Sequence, residues 1–188
     1  MAIDLAEAHV RALAATGRIV AAVADDQWDA PSVCDEWTVR ELVNHVVAGN
    51  LWVAPLVEGQ TIEQVGDRYD GDLLGDDPAA AYDASVPSAA AAFQADGAMD
   101  APVAVSYGPV PGSIYCGHRF LDVLVHGWDI AASTGQSTAL DPELVEAALE
   151  VAEPQIELLV ASGMFGTRAE VAAGAPEEER LLAMLGRG

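Results

Sequence analysis

Residues 118–129 constrain the fold of this chain more strongly than any other stretch. The segment HRFLDVLVHGWD is filled with large apolar side chains between its polar residues, and this filling predicts a helix. In a helix, Asp122 and His126 are one turn apart and project from the same face. A carboxylate and an imidazole on one face can bind a divalent metal. Since two side chains from one helix rarely complete a site, a third ligand is expected from another segment.

A second helix is predicted to begin at Thr38. Thr38 and Glu41 have the spacing of a capping box, and Trp37 and Leu42 have the spacing of a hydrophobic staple. His45 follows at the border of the apolar stripe of this helix. Its ring is therefore expected to point inward or sideways.

The remaining pattern predicts an all-α chain. Four principal helices joined by long crossover loops favour a four-helix bundle with a short C-terminal tail helix. We predict a single domain over 1–188, with the bundle over about 1–162 and a wrapping tail over 163–188. The other predicted helices cover 4–24, 78–96 with a kink or break at Pro87, 113–134, 142–159 and 176–185. The crossover over 101–111 is expected to be extended or irregular.

Charge restricts the classes of partner. Eight arginines and no lysine stand against 30 acidic residues, for a formal net charge of −22. Such a surface repels phosphate backbones and anionic lipid, and no apolar run approaches the roughly 18 residues needed to span a bilayer. We expect a cytoplasmic protein that binds a small-molecule substrate and neither nucleic acid nor a membrane. A homodimer is compatible with such a bundle.

The two cysteines are expected to be reduced. Cys34 and Cys116 form neither a CxxC motif nor a disulfide framework. Cys116 lies two residues before His118 and therefore near the predicted site.

The third metal ligand is sought among four histidines. His9 lacks a suitable partner at helical spacing and is expected on a helix surface or in a satisfied packing contact. His45 on the second helix completes a set of three with Asp122 and His126, the usual number for a catalytic zinc. His118 lies on the same stripe and is an alternative or additional ligand. The same side chains could instead form a buried polar network, and nickel, iron and manganese are alternatives to zinc.

Three segments resemble a known family. The segments CDEWTVRELVNHV (34–46), DVLVHGWDIA (122–131) and RLLAMLGR (180–187) are similar to signatures of the actinobacterial metal-binding members of the DinB-like superfamily. That group is related to mycothiol-dependent maleylpyruvate isomerase. The resemblance implies a DinB-like four-helix bundle that holds one divalent metal, with zinc as the first expectation.

The resemblance also implies the ligand set and a class of chemistry. The family's ligands fall on His45, Asp122 and His126, and the acid is aspartate here where the characterised isomerase has glutamate. The implied chemistry is metal-dependent activation of a low-molecular-weight thiol such as mycothiol, for transfer to a small electrophile or its isomerisation. The isomerase has a separate C-terminal domain that supplies a substrate-binding arginine, so maleylpyruvate isomerisation itself is not expected.

A non-catalytic metal or small-ligand binding protein is the alternative. An open coordination position would favour the transferase or isomerase-like enzyme, whereas closure of the shell by His118 or Cys116 would favour the binding protein.

Five further residues are candidates around the site. Arg40 and Arg119 could hold a substrate carboxylate, or they could neutralise neighbouring acids. Trp52 and Trp128 could line the pocket, or they could belong to the core. Glu41 could orient the histidine one turn later, although the capping box already accounts for it.

Overall fold

The computed structural model describes residues 3–34, 37–157, 169–172 and 174–187. Two compact units can be distinguished. The larger unit comprises Leu5–Thr138, and the smaller one comprises Met1–Asp4 with Ala139–Gly188. The prediction of a single domain over 1–188 stays a prediction.

The larger unit is a four-helix bundle, as predicted. The helices α1, α2, α4 and α5 form a closed ring in which α1 and α2 each pack against both α4 and α5. A short helix, α3, lies in the connection between α2 and α4. The bounds are α1 Leu5–Val20, α2 Val39–Val57, α3 Ile62–Val65, α4 Pro78–Gln94 and α5 Gly112–Thr134.

The start of α2 confirms the capping box. The Thr38 side chain accepts a hydrogen bond from the backbone N–H of Glu41, and the Glu41 carboxylate accepts one from the backbone N–H of Thr38 at 2.8 Å. These two bonds satisfy donors that a helix start leaves unpaired. They fix where α2 begins, and its buried face then turns Leu42 and Val46 into the bundle.

Close approach between α1 and α5 depends on Gly127. A Cβ atom at Gly127 would collide with the hydroxyl of Thr16. That hydroxyl donates a hydrogen bond to the carbonyl of Val123 at 3.0 Å. The bond joins the two helices at the level of the predicted metal ligands on α5.

The crossover between α4 and α5 is a β-hairpin. Strand β1 (Pro102–Val105) pairs antiparallel with β2 (Gly108–Pro111), and Val103 lies opposite Val110. Val103 is fully buried. The sequence indicated only extended or irregular chain here, because prolines interrupt the alternation.

Helix α4 runs through Pro87 without a break. The proline removes one backbone donor. The buried side chains on both sides of it, including Tyr82 and Phe93, keep the helix in the bundle.

The smaller unit contains the last helices of the described chain. Helix α6 (Pro142–Ala152) leads into a 3₁₀ helix (Glu153–Gln155), and helix α7 (Glu177–Met184) follows. The described residues are helical from 142 to 157, in agreement with the predicted helix over 142–159, and the 3₁₀ turn over 153–155 lies around Pro154. Residues 158–159 lie outside the described residues, and so do 163–168, 173 and 188 of the predicted tail. Each helix in the described part of the chain is too short or too polar to span a bilayer.

His9 is the one histidine on α1, and it lies in the core rather than on the helix surface. Its side chain is fully buried and contacts the Phe93 ring edge-on, with ring centroids 5.2 Å apart. Neither ring nitrogen has a hydrogen-bond partner among the described residues. Burial, assisted by the charge of Arg119, lowers the pKa of His9 to about 3. His9 is therefore neutral in the folded protein.

Because His9 is buried in its neutral form, we predict that acid destabilises the folded protein. The unfolded chain binds a proton below the ordinary histidine pKa of 6.5, whereas the folded protein does so only near pH 3. As far as His9 is concerned, the folded protein therefore keeps its free energy of unfolding above pH 6.5 and loses part of it as the pH falls towards 3. Linkage gives a loss of about 2 kcal/mol in the free energy of unfolding between pH 7 and pH 5.

Urea denaturation at the two pH values tests this expectation. The variant His9→Leu should lose that part of the pH dependence, because leucine does not titrate. Leu13→Met, a volume-conserving change in the same helix, serves as the control. An unchanged pH dependence in His9→Leu would contradict the assignment.

Candidate metal site

The three residues predicted as metal ligands lie together between α2 and α5. His45 Nε2 is 3.3 Å from Asp122 Oδ1, and His126 Nε2 is 3.6 Å from the same oxygen. The two imidazole rings meet edge-on, with centroids 5.0 Å apart. All three donor atoms lie within 4.8 Å of one another. Helical spacing brings Asp122 and His126 together, and the packing of α2 on α5 adds His45.

The donor set fits a divalent transition metal. Two imidazole nitrogens and one carboxylate oxygen are typical of zinc sites that keep a further position for water or substrate. Exposure rises from 8% for the His126 side chain to 20% for Asp122 and 38% for His45. The cluster is therefore reached from the His45 side. The assignment of these residues as ligands stays a prediction.

Asp122 is held in its ionised form. Burial by itself raises the pKa of this carboxyl, but the charge of Arg119 and the two histidines outweigh burial and hold the pKa well below its ordinary value. Arg119 Nη1 donates to Asp122 Oδ2 at 2.9 Å. Metal binding requires an ionised carboxylate, and this environment supplies it.

A buried carboxylate supports His126 from behind. Asp129 is only 1% exposed, and its Oδ2 lies 2.9 Å from His126 Nδ1. This arrangement makes Nδ1 the protonated nitrogen, so that Nε2 presents a lone pair to a metal beside Asp122. Cys34 Sγ also donates to Asp129 Oδ2, at 3.1 Å. Cys34, His126 and Asp129 form a second group of potential ligands, and it shares His126 with the first.

Sequence reasoning missed Asp129 and Cys34. Asp129 follows His126 by three residues, a spacing that places both on one helix face, and this signal was available. Cys34 comes from the loop before α2, and no periodicity marks it. Ser133 Oγ accepts from the backbone N–H of Val33 at 2.9 Å and so ties that loop to α5.

Trp37 forms an aromatic wall beside the ligands. Its ring centroid lies 4.8 Å from that of His45 and 6.1 Å from that of His126. The sequence assigned Trp37 only to the hydrophobic staple. Its position before the cap of α2 also places it against both imidazoles.

Each candidate arginine forms an ion pair with an aspartate. Arg119 binds Asp122 and lies buried behind it. Arg40 Nη2 donates to Asp72 Oδ2 at 2.9 Å and to the carbonyl of Gly75 at 2.7 Å. Arg40 thus fastens the loop between α3 and α4.

The other candidates have structural contacts. Trp52 packs edge-on against Tyr69, with centroids 6.1 Å apart, and Trp128 is half-buried on α5. The Glu41 carboxylate caps α2, as described above.

His118 and Cys116 lie outside the ligand cluster. His118 Nδ1 is 3.0 Å from the Tyr107 hydroxyl at the turn of the β-hairpin. Cys116 is buried, with its Sγ 3.9 Å from the carbonyl of Leu5. Among the described residues, neither joins the group formed by His45, Asp122 and His126.

Comparisons with known proteins agree with this fold. The profile of the mycothiol maleylpyruvate isomerase N-terminal domain family matches residues 9–131. The chain belongs to that family, and the predicted relation to the DinB-like superfamily is confirmed.

Sequence relatives cover nearly the whole chain. Two uncharacterized proteins of Mycobacterium tuberculosis, MT0763 of strain CDC 1551 / Oshkosh and Rv0738 of strain ATCC 25618 / H37Rv, are each 37% identical to it over 186 residues, spanning 96% of this chain and 96% of each relative.

Solved structures share the fold. Crystal structures of the mycothiol-dependent maleylpyruvate isomerase and of a point mutant superpose with TM-scores of 0.63 and 0.64. Both are 18% identical to this chain, and the match covers 82% of this chain and 70% of theirs. At this identity, the likeness shows the fold alone, and it confirms the DinB-like fold.

The support of His126 by Asp129 is testable through metal affinity. Asp129→Ala should weaken zinc binding about 10- to 100-fold, because the imidazole loses the acceptor that fixes its proton on Nδ1. Asp129→Asn retains an accepting oxygen and should lose less. Competition with a chromophoric chelator measures both affinities.

Asp72→Ala serves as the control. It also removes a carboxylate, but this carboxylate pairs with Arg40 and does not contact a predicted metal ligand. Wild-type zinc affinity in Asp129→Ala would refute the supporting role.

Proposed function

We propose that this protein is a metal-dependent enzyme that activates a low-molecular-weight thiol, of the mycothiol class, for transfer to a small electrophile or its isomerisation. Zinc is the proposed metal. The observation that carries the proposal is the cluster of His45, Asp122 and His126, which lies in a chain of the mycothiol maleylpyruvate isomerase N-terminal domain family.

A bound zinc ion lowers the pKa of a thiol that it ligates and so raises the thiolate fraction at neutral pH. The residues of the chain supply the rest. His45, Asp122 and His126 would hold the ion, and Asp129 would keep the His126 ring in the required tautomer. Trp37 covers one side of both imidazoles and excludes water there, while the more exposed His45 leaves an approach for substrate.

A non-catalytic binding protein is the second candidate. It requires a fourth protein ligand to close the metal shell, and the sequence suggested His118 or Cys116. Their positions outside the cluster among the described residues favour the enzyme. The net charge of −22 supports action on small molecules rather than on nucleic acid.

Metal content tests the proposed site. Protein purified without added metal should contain about one divalent transition metal per chain by elemental analysis. His126→Ala should abolish this content, because it removes a ligand nitrogen. The His126 side chain is only 8% exposed, so water replaces it poorly as a ligand. His118→Ala is the matched control and should retain it. Full occupancy in His126→Ala would sink the ligand assignment.

Thiol binding tests the proposed chemistry. After replacement of the native metal by Co²⁺, addition of mycothiol should produce a sulfur-to-cobalt charge-transfer band in the near-ultraviolet. The S-methyl thioether of mycothiol offers no thiolate and should produce none. A protein that contains one cobalt ion and gives no such band with mycothiol would contradict thiol activation.

A further inference from the structure

The two oxygens of Asp122 have different partners. Oδ1 faces both imidazoles, 3.3 Å from His45 Nε2 and 3.6 Å from His126 Nε2. Oδ2 accepts the hydrogen bond from Arg119 Nη1 at 2.9 Å. The carboxylate therefore presents one oxygen to the ligand cluster, and the other is occupied by a cation.

Arg119 is held in place from its other side. The residue is 7% exposed, and its Nη2 lies 3.4 Å from Asn50 Oδ1 on α2. Asn50 Nδ2 in turn donates to Ser85 Oγ on α4 at 3.0 Å. The planar guanidinium thus spans Asp122 and Asn50, and it cannot turn from one without leaving the other.

Gly49 provides the space for this guanidinium. A Cβ atom at Gly49 would collide with the central carbon and both terminal nitrogens of Arg119. Glycine weakens a helix interior, because the unfolded chain has more freedom to lose. The backbone at Gly49 is ordinary helix, so glycine is needed here for the space that Arg119 fills rather than for its backbone conformation. This sequence thus combines a helix-weakening residue with a buried cation at one point, directly behind a predicted ligand.

We propose that Arg119, which fills the space left by Gly49, is a positioning residue. It restricts Asp122 to binding the metal through one oxygen and thereby keeps a coordination position open for an anionic ligand. Without Arg119, Oδ2 is released and competes for that position. The positive charge of Arg119 also favours an incoming anion. The inference rests on the proposed function, because it requires a metal at His45, Asp122 and His126.

The experiment uses the Co²⁺-loaded full chain and azide as a small anionic probe. Visible absorption reports the coordination number, since four-coordinate cobalt absorbs more strongly than five-coordinate cobalt. The wild-type protein should show the stronger bands and a saturable change with azide. In Arg119→Met, the bands should weaken and the azide Kd should rise by about tenfold or more, the scale typical of changes behind a metal ligand.

Two further variants separate positioning from charge and from folding. Gly49→Ala displaces the guanidinium without changing any charge, and it should raise the azide Kd in the same direction. Arg119→Lys keeps the charge but cannot contact Asp122 and Asn50 together, so it should also bind azide more weakly than the wild type. If Arg119→Met does not fold, these two variants decide the question.

The controls match each change. Arg180→Met removes another ion-paired arginine, which contacts Glu153 at 2.8 Å in the smaller unit. Gly17→Ala adds a methyl group to another helical glycine of the bundle, 3.1 Å from the Tyr82 ring. Both controls should retain the wild-type spectrum and azide Kd.

The outcomes distinguish this inference from the proposed function. Stoichiometric cobalt with wild-type spectra and azide Kd values in Arg119→Lys and Gly49→Ala would overturn the role of Arg119 and leave the metal site standing. Failure of the wild-type protein to bind cobalt would overturn the proposed function and the inference with it.

Discussion

The ion pair between Arg119 and Asp122 is the interaction on which the rest of the site depends. A carboxylate between packed helices is costly unless it is paired, because burial disfavours its charged form. Arg119 pairs with it from the same helix, and Gly49 on α2 leaves room for the guanidinium. The close packing of α2 on α5 at this level therefore depends on this ion pair. The same closeness brings His45 to within 3.3 Å of Asp122.

The parts of the site that the sequence predicted are those determined by local periodicity. Asp122 and His126 follow from helical spacing, and the start of α2 follows from the chemistry of Thr38 and Glu41. The His45 position follows once α2 begins at a known residue. Each of these inferences needs only a few neighbouring residues, and the bundle then supplies the contact between helices.

The parts that the sequence did not reveal depend on tertiary contacts. The sequence leaves Arg119 as either a substrate-binding residue or a partner of neighbouring acids, because nothing local shows that a glycine 70 positions earlier receives its guanidinium. Cys34 reaches Asp129 only because the loop before α2 folds onto α5. The β-hairpin was also hidden, since its prolines obscure the alternation and its stability comes from burial of Val103 in the bundle.

The charge of the whole protein and the charge at the site have opposite signs. The net charge of −22 repels anions at a distance. At physiological ionic strength, however, screening limits exposed charges to about 8 Å, whereas the buried Arg119 acts at contact range and is screened much less. Under the proposed function, a thiol that arrives in its neutral form would meet little repulsion and would become an anion only beside Arg119 and the proposed metal ligands. This combination of an acidic exterior with a cation behind Asp122 is suited to a neutral thiol that is ionised within the site, and less suited to a substrate that is already strongly anionic in solution.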